Sequence, residues 1–153
     1  MWIEYQRSIL TDELRNQAFH DALARVINKG ETTVLDIGSG TGFLSFLASR
    51  LGAREVFMVE QNAELANLSE RLMRRNKIKH CTLFQCSSYD LFELPPVDVI
   101  VSETLGNYAY EENILEIMRD ARRFLRPGGV ILPSALEQWI APVHSERFYN
   151  ELC

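Results

Sequence analysis

The stretch VLDIGSGTG, residues 34–42, decides the fold. Val34 to Ile37 form a short apolar run interrupted by one acid, Asp36, and the run ends in Gly38, Gly40 and Gly42. FLSFLASRLG, residues 43–52, follows at once with helical spacing. A buried strand that turns through glycines straight into a helix is the nucleotide-binding entry of an open α/β sheet. There a backbone without side chains can approach a ligand closely. The run EVFMVE, residues 55–60, reads as the next strand. Its last residue, Glu60, is placed to accept both hydroxyls of a ribose.

The spacing narrows the ligand. A dinucleotide fingerprint is GxGxxG, with a pyrophosphate held at the helix N-terminus. Here the pattern is GxGxG, and Asp36 precedes the first glycine. An anion beside the loop repels a pyrophosphate but suits a ligand that carries an amino group and a sulfonium. No GK[ST] follows, which excludes a P-loop. S-adenosylmethionine is therefore favoured over NAD, with Asp36, Gly38, Gly40, Gly42 and Glu60 around it. Arg15, on the opening helix, is expected to pair with its methionine carboxylate through a bidentate fork. On spacing alone, a solvated helix arginine is an equal reading. Ser88 and Tyr89, after the third strand, sit where an adenine would lie, and a polar loop is the alternative.

Outward from the loop, helix and strand patterns alternate. ILTDELRNQAFHDALARVINKG, residues 9–30, has helical spacing with Thr11 as N-cap and Gly30 as stop. NAELANLSERLMRRNK, residues 62–77, is a helix capped by Asn62, and CTLFQC, residues 81–86, is a strand. VDVIVSE, residues 97–103, is the fourth strand, residues 113–129 form a helix, and VILP, residues 130–133, is the fifth strand. Strands that are apolar throughout and alternate with helices imply a doubly wound, mostly parallel α/β sheet of Rossmann-like type. The chain reads as one domain, residues 1–153. Residues 1–30 form a helical cofactor cover, 31–133 the core, and 134–153 a tail that is either truncated or an assembly element. Within the tail, LEQWIAPV (136–143) reads as a further strand and SERFYNELC (145–153) as a short helix. Ile131, Leu132, Trp139 and Ile140 would need cover, from a homodimer or from a missing domain.

With 46% hydrophobic and 24% charged residues, the composition is that of a soluble globular protein. A net charge of -5 argues against general nucleic-acid affinity and leaves room for a cationic substrate. The basic cluster Arg71, Arg74, Arg75, Lys77, Lys79 and His80 reads as a solvated helix end. Cys81, Cys86 and Cys153 lack metal-ligand spacing and read as structural thiols of a reducing, cytoplasmic compartment. No apolar run approaches a membrane span, and no signal peptide is expected.

The second informative stretch is SETLGNYAYEEN, residues 102–113, which sets acids around a Gly-Asn turn at the end of a buried strand. Placing carboxylates there is costly unless a cation binds. From about Tyr5 to Pro133 the chain resembles the protein arginine methyltransferase family. The resemblance rests on ILTDELR, VLDIGSGTGFLS, VFMVE, SETLGNYAYEENIL and ARRFLRPGGVILPS. It implies S-adenosylmethionine-dependent methyl transfer to an arginine of a protein or peptide. It also places Arg15 on the cofactor carboxylate and makes residues 102–115 a double-glutamate hairpin. Ungapped matching puts the catalytic pair at Glu103 and Glu112, with Glu111 as a solvent-side neighbour. Two ionised carboxylates can hold a guanidinium, which stays protonated, and aim one nitrogen at the sulfonium methyl.

The sequence departs from that family in several places. Thr104 and Leu105 replace the aromatic and methionine usual after the first glutamate, which loosens any inference about mono- or dimethylation. The C-terminal β-barrel with its histidine loop, and the dimerisation arm, have no counterpart, so Asp12 lacks the histidine it would pair with. Tyr108, Tyr110, Trp2 and Tyr5 are further candidates for packing on substrate or cofactor. Two rival functions remain: methylation of another amine or small molecule, and a cofactor-binding scaffold that needs a partner for activity.

Overall fold

The computed structural model describes residues 2–105, 113–142 and 144–145. Two helices open the chain, α1 (Trp2–Thr11) and α2 (Glu13–Val26). The expected opening helix corresponds to α2, whose cap lies one residue later than Thr11, and α1 precedes it as an unexpected helix. Thr11 does not cap a helix; its hydroxyl turns back onto the carbonyls of Arg7 and Ser8 and closes α1. Asp12 is the N-cap of α2, its side chain accepting from the Arg15 amide at 3.0 Å. An Asp in extended conformation satisfies a free amide of the next turn, and two helices can then meet at an angle. α2 ends at Val26 with Ile27 as its cap, and Gly30, at φ +76, belongs to the turn beyond.

Five strands follow: β1 (Thr33–Ile37), β2 (Glu55–Val59), β3 (Cys81–Phe84), β4 (Val97–Ser102) and β5 (Leu125–Leu132). They form one parallel sheet in the order β3-β2-β1-β4-β5. Helix α3 (Phe43–Leu51) ends on Gly52 in the left-handed conformation, and α4 (Ala63–Arg75) starts at Asn62, which caps two amides as its sequence position predicts. Helix α5 (Ile114–Ala121) is shorter than expected, because a 3-10 turn at Arg122–Phe124 leads directly into β5. The strand then begins five residues before VILP and absorbs Pro127, Gly128 and Gly129 through a register shift against β4.

Alternation along the strands divides the core in two. Val34, Val56, Met58, Val99 and Val101 pack with Leu23, Leu44 and Ala48 on one face. Leu35, Ile37, Phe57, Val59 and Ile100 pack with Ala121 and Phe124 on the other. Covering both faces explains why the strands are apolar throughout. At the N-terminal edge, buried Asp98 accepts from the Thr33 amide at 2.7 Å and from the Thr33 hydroxyl at 2.8 Å, and it is ion-paired with Arg126. This carboxylate ties β1, β4 and β5 together on the side away from the glycine loop.

No strand occurs among the described residues of the tail, so the expected strand at LEQWIAPV is absent from 136–142. Trp139 and Ile140 are 86% and 94% exposed. The expected short helix lies almost wholly outside the described residues, as do Tyr108, Tyr110, Glu111, Glu112 and Cys153; nothing is described of the Trp2 side chain. No helix among the described residues is long and apolar enough to cross a membrane.

Candidate active site

The chain reverses direction across the sheet between β1 and β4, and such a switch point leaves a crevice beyond the strand ends. Ile37 is in register with Ser102, so Gly38 and Glu103 emerge side by side. Ser102 Oγ donates to the Ile37 carbonyl at 2.8 Å and fixes the two strand ends together. Beyond them lies a cavity of about 960 Å³, within the range of sites for a nucleotide-sized ligand. The loop, Glu60, residues 86–89 and Glu103 line it, and α1 covers it with Tyr5, Gln6, Ile9 and Leu10.

The glycine loop is held by its backbone. The amides of Gly38 and Ser39 both donate to the Val59 carbonyl, at 2.9 and 3.0 Å. Gly38 has φ +69, and a Cβ there would lie 2.8 Å from Thr104 Cγ2. Gly42 has φ +86, and its Cβ would meet the Phe46 ring at 2.6 Å and Ser69 Oγ at 2.7 Å. These two positions require glycine both for the turn and for the close packing. Above Gly40, the Gln6 amide group stands 3.5 Å from where a Cβ would be, so Gln6 roofs the loop.

Glu60 follows β2 and is buried. One oxygen accepts from the Gly40 amide at 2.8 Å and the other from the Asn62 amide at 2.7 Å. Its role is thus wider than the sequence suggests, since it clamps the loop to the start of α4. Each carboxylate oxygen can accept two hydrogen bonds, so the capacity to take ribose hydroxyls remains.

The surroundings of Asp36 work against the anion that the sequence suggests. It is fully buried, and Ser45 Oγ donates to it at 2.6 Å. Burial, opposed by the Ser45 hydrogen bonds and reinforced by the nearby Glu60, pushes its carboxyl up to about 7. Its ordinary value is 3.8, so between these limits the folded chain holds a proton that the unfolded chain has released. Stability therefore falls as pH rises from about 4 to 7, by about 1.4 kcal/mol for each unit of raised pKa. Asp36→Asn is expected to flatten that decline and to raise the melting temperature at alkaline pH. A cationic ligand beside Asp36 favours its ionised form, so binding should release a proton near neutral pH. Thermal melts from acid to mildly alkaline pH check the first expectation; identical profiles for the two proteins would contradict it.

On the other side of the cavity, Ser88 is buried in a 3-10 turn (Ser88–Asp90) capped by Ser87, whose side chain accepts from the Tyr89 amide. The Ser88 carbonyl accepts from Arg123 Nη2 at 2.9 Å, which anchors the turn to the 3-10 turn after α5. Tyr89 is half exposed at the rim. Both line the cavity, in keeping with an adenine position. Burial pushes the Cys81 thiol up to about 11 and also raises that of Cys86, which lines the cavity.

Arg15 and Glu103 meet directly. Arg15 Nη2 donates to Glu103 Oε2 at 2.6 Å, with both side chains more than four-fifths buried. The guanidinium also lies over the Phe19 ring, 5.4 Å from its centroid. Sequence reading assigned these residues to two different ligands, cofactor and substrate, and gave no hint of their contact. Glu103 thus holds a guanidinium in this cavity through one oxygen, and the other has no arginine partner among the described residues. Arg15 Nε is buried without a partner among the described residues, as is Ser39 Oγ in the loop. Orphaned donors in a cavity lined by glycines fit a ligand with a carboxylate and further polar atoms, as S-adenosylmethionine has. Glu112, the other half of the expected pair, lies outside the described residues.

Gln6 was missed, because it lies in no recognisable pattern. The basic cluster sits at the exposed end of α4, where Arg74 pairs with Glu70 at 2.8 Å, as a solvated helix end would.

Comparison with known proteins agrees with this geometry. A family described as a methyltransferase domain matches residues 34–129. The probable histone-arginine methyltransferase CARMER of Drosophila melanogaster is 32% identical over 152 residues, covering 98% of this chain and 28% of that protein. The chain thus spans less than a third of the length of these curated relatives. Among solved structures, protein arginine methyltransferase 10 of Arabidopsis thaliana, in a uniquely open conformation, superposes with a TM-score of 0.77. It is 30% identical, over 84% of this chain and 38% of its own. The Trypanosoma brucei PRMT1 enzyme-prozyme heterotetrameric complex with AdoHcy gives a TM-score of 0.75 at 27% identity, over 83% and 41%. The open parallel sheet, the glycine loop and the Glu103 crevice thus occur in a chain that belongs to the methyltransferase domain family and is similar, within it, to protein arginine methyltransferases.

Proposed function

We propose that the chain binds S-adenosylmethionine and transfers its methyl group to a guanidinium nitrogen of an arginine in a protein or peptide. The observation that carries this reading is Glu103, which already accepts a guanidinium at 2.6 Å in the cavity that contains the glycine loop and Glu60. The bound cofactor would supply an electrophilic methyl on a sulfonium. Glu60 would orient the ribose, Ser88 and Tyr89 would flank the adenine, and Arg15 would take the carboxylate. Glu103, with Glu112 as its partner, would hold the substrate guanidinium so that one nitrogen approaches the methyl in line. Proximity and charge placement then contribute most of the acceleration. S-adenosylhomocysteine should bind in calorimetry and NAD should not; binding of NAD with exclusion of S-adenosylhomocysteine would overturn the cofactor reading.

A cytoplasmic location and a homodimer belong to the same proposal. The first is supported by the unpaired Cys81 and Cys86, the second by the exposure of Trp139 and Ile140. The Trypanosoma brucei assembly joins an enzyme to a prozyme. It supports a second reading, in which this chain binds cofactor and needs a partner for activity.

A further inference from the structure

Arg15 is held by more than Glu103. Its Nη1 donates to Asn16 Oδ1 at 2.9 Å, and Asn16 Nδ2 in turn donates to the Leu10 carbonyl at 2.9 Å. Leu10 lies in the last turn of α1, where carbonyls have no intrahelical partner. Only one orientation of the Asn16 amide satisfies both neighbours, because its oxygen faces a cation and its nitrogen a carbonyl. The guanidinium plane is rigid, so bonds at Nη1 and Nη2 leave it no freedom to rotate. Its remaining edge carries Nε, which is buried and has no partner among the described residues.

We propose that Asn16 is a positioning residue for the cofactor. It turns the Arg15 guanidinium so that Nε–H stays available to a carboxylate, and it fastens that orientation to the helix covering the cavity. This rests on the S-adenosylmethionine reading and adds to it a residue with no contact to the ligand. The carboxylate end of the ligand would thereby be coupled to closure of α1, through Asn16 and Leu10. Loss of Asn16 frees the guanidinium to swing fully onto Glu103, at the expense of the carboxylate.

The test compares two ligands. S-adenosylhomocysteine carries the amino-acid group, whereas 5′-methylthioadenosine keeps the nucleoside and thioether without it. Asn16→Ala should weaken S-adenosylhomocysteine by about 5–10-fold, the net worth of one typical hydrogen bond. It should leave 5′-methylthioadenosine unchanged. In an Arg15→Met background the same substitution should add nothing, since Asn16 acts through Arg15. Equal weakening of both ligands, or a full additional loss without Arg15, would overturn the proposal in favour of a general role in folding α1. Unchanged affinity for both ligands would overturn the role of Asn16 alone. A wild-type chain that binds neither ligand would overturn the cofactor reading, and this inference with it.

Discussion

Glu103→Gln is expected to reduce methyl transfer to an arginine peptide by about 100-fold or more, because charge and orientation are lost together. Shape is preserved, but a neutral amide must turn an N–H group toward one side of the incoming cation. The loss should appear in the rate of transfer, while S-adenosylhomocysteine affinity stays close to that of the wild type. Arg15 gives up a charged partner in this variant, yet Asn16 still holds its Nη1. Glu112→Gln should behave alike and Glu111→Gln should be close to neutral, on the ungapped register. A Glu111 variant that abolishes transfer beside a normal Glu112 variant would shift that register by one residue. Wild-type rates in all three would remove the guanidinium clamp.

Glu60→Ala is expected to weaken S-adenosylhomocysteine by roughly 1.5–3 kcal/mol, as for loss of hydrogen bonds to a charged group. The structure adds a reason to expect the upper end. Both carboxylate oxygens also accept backbone amides, from Gly40 and Asn62, so the glycine loop loses its tether to α4. Glu60→Gln should be no milder than alanine, since its NH₂ group must face one of those two amide donors. Calorimetry on the two variants measures this directly. Unchanged affinity in Glu60→Ala would remove Glu60 from the cofactor site.

The sheet was legible because its strands are apolar on both faces, and glycine and asparagine mark the ends of α3 and α4. Helix α1 was not, and the cap of α2 was legible only to within one residue. Thr11 and Asp12 are adjacent and both are good capping residues, and spacing alone does not decide which of them turns back onto its own helix. The start of β5 was hidden by Pro127, Gly128 and Gly129, which read as a turn but are carried by a shift in pairing with β4. The placement of Glu60 and Glu103 at strand ends beside the cavity was legible, because charge is costly there. Individual residues gave no warning that Arg15 would reach across 88 positions to Glu103, or that Asp36 would be buried against Ser45. Both depend on tertiary packing of α2 and α3 over the sheet, which a linear pattern does not encode.

The most direct measurement of the central claim is mass spectrometry of a peptide containing both arginine and lysine, incubated with this protein and methyl-labelled S-adenosylmethionine. The account predicts label on arginine, none on lysine, and a loss of that label with Glu103→Gln. Label on lysine or another amine, or no label from a chain that binds the cofactor tightly, would contradict it.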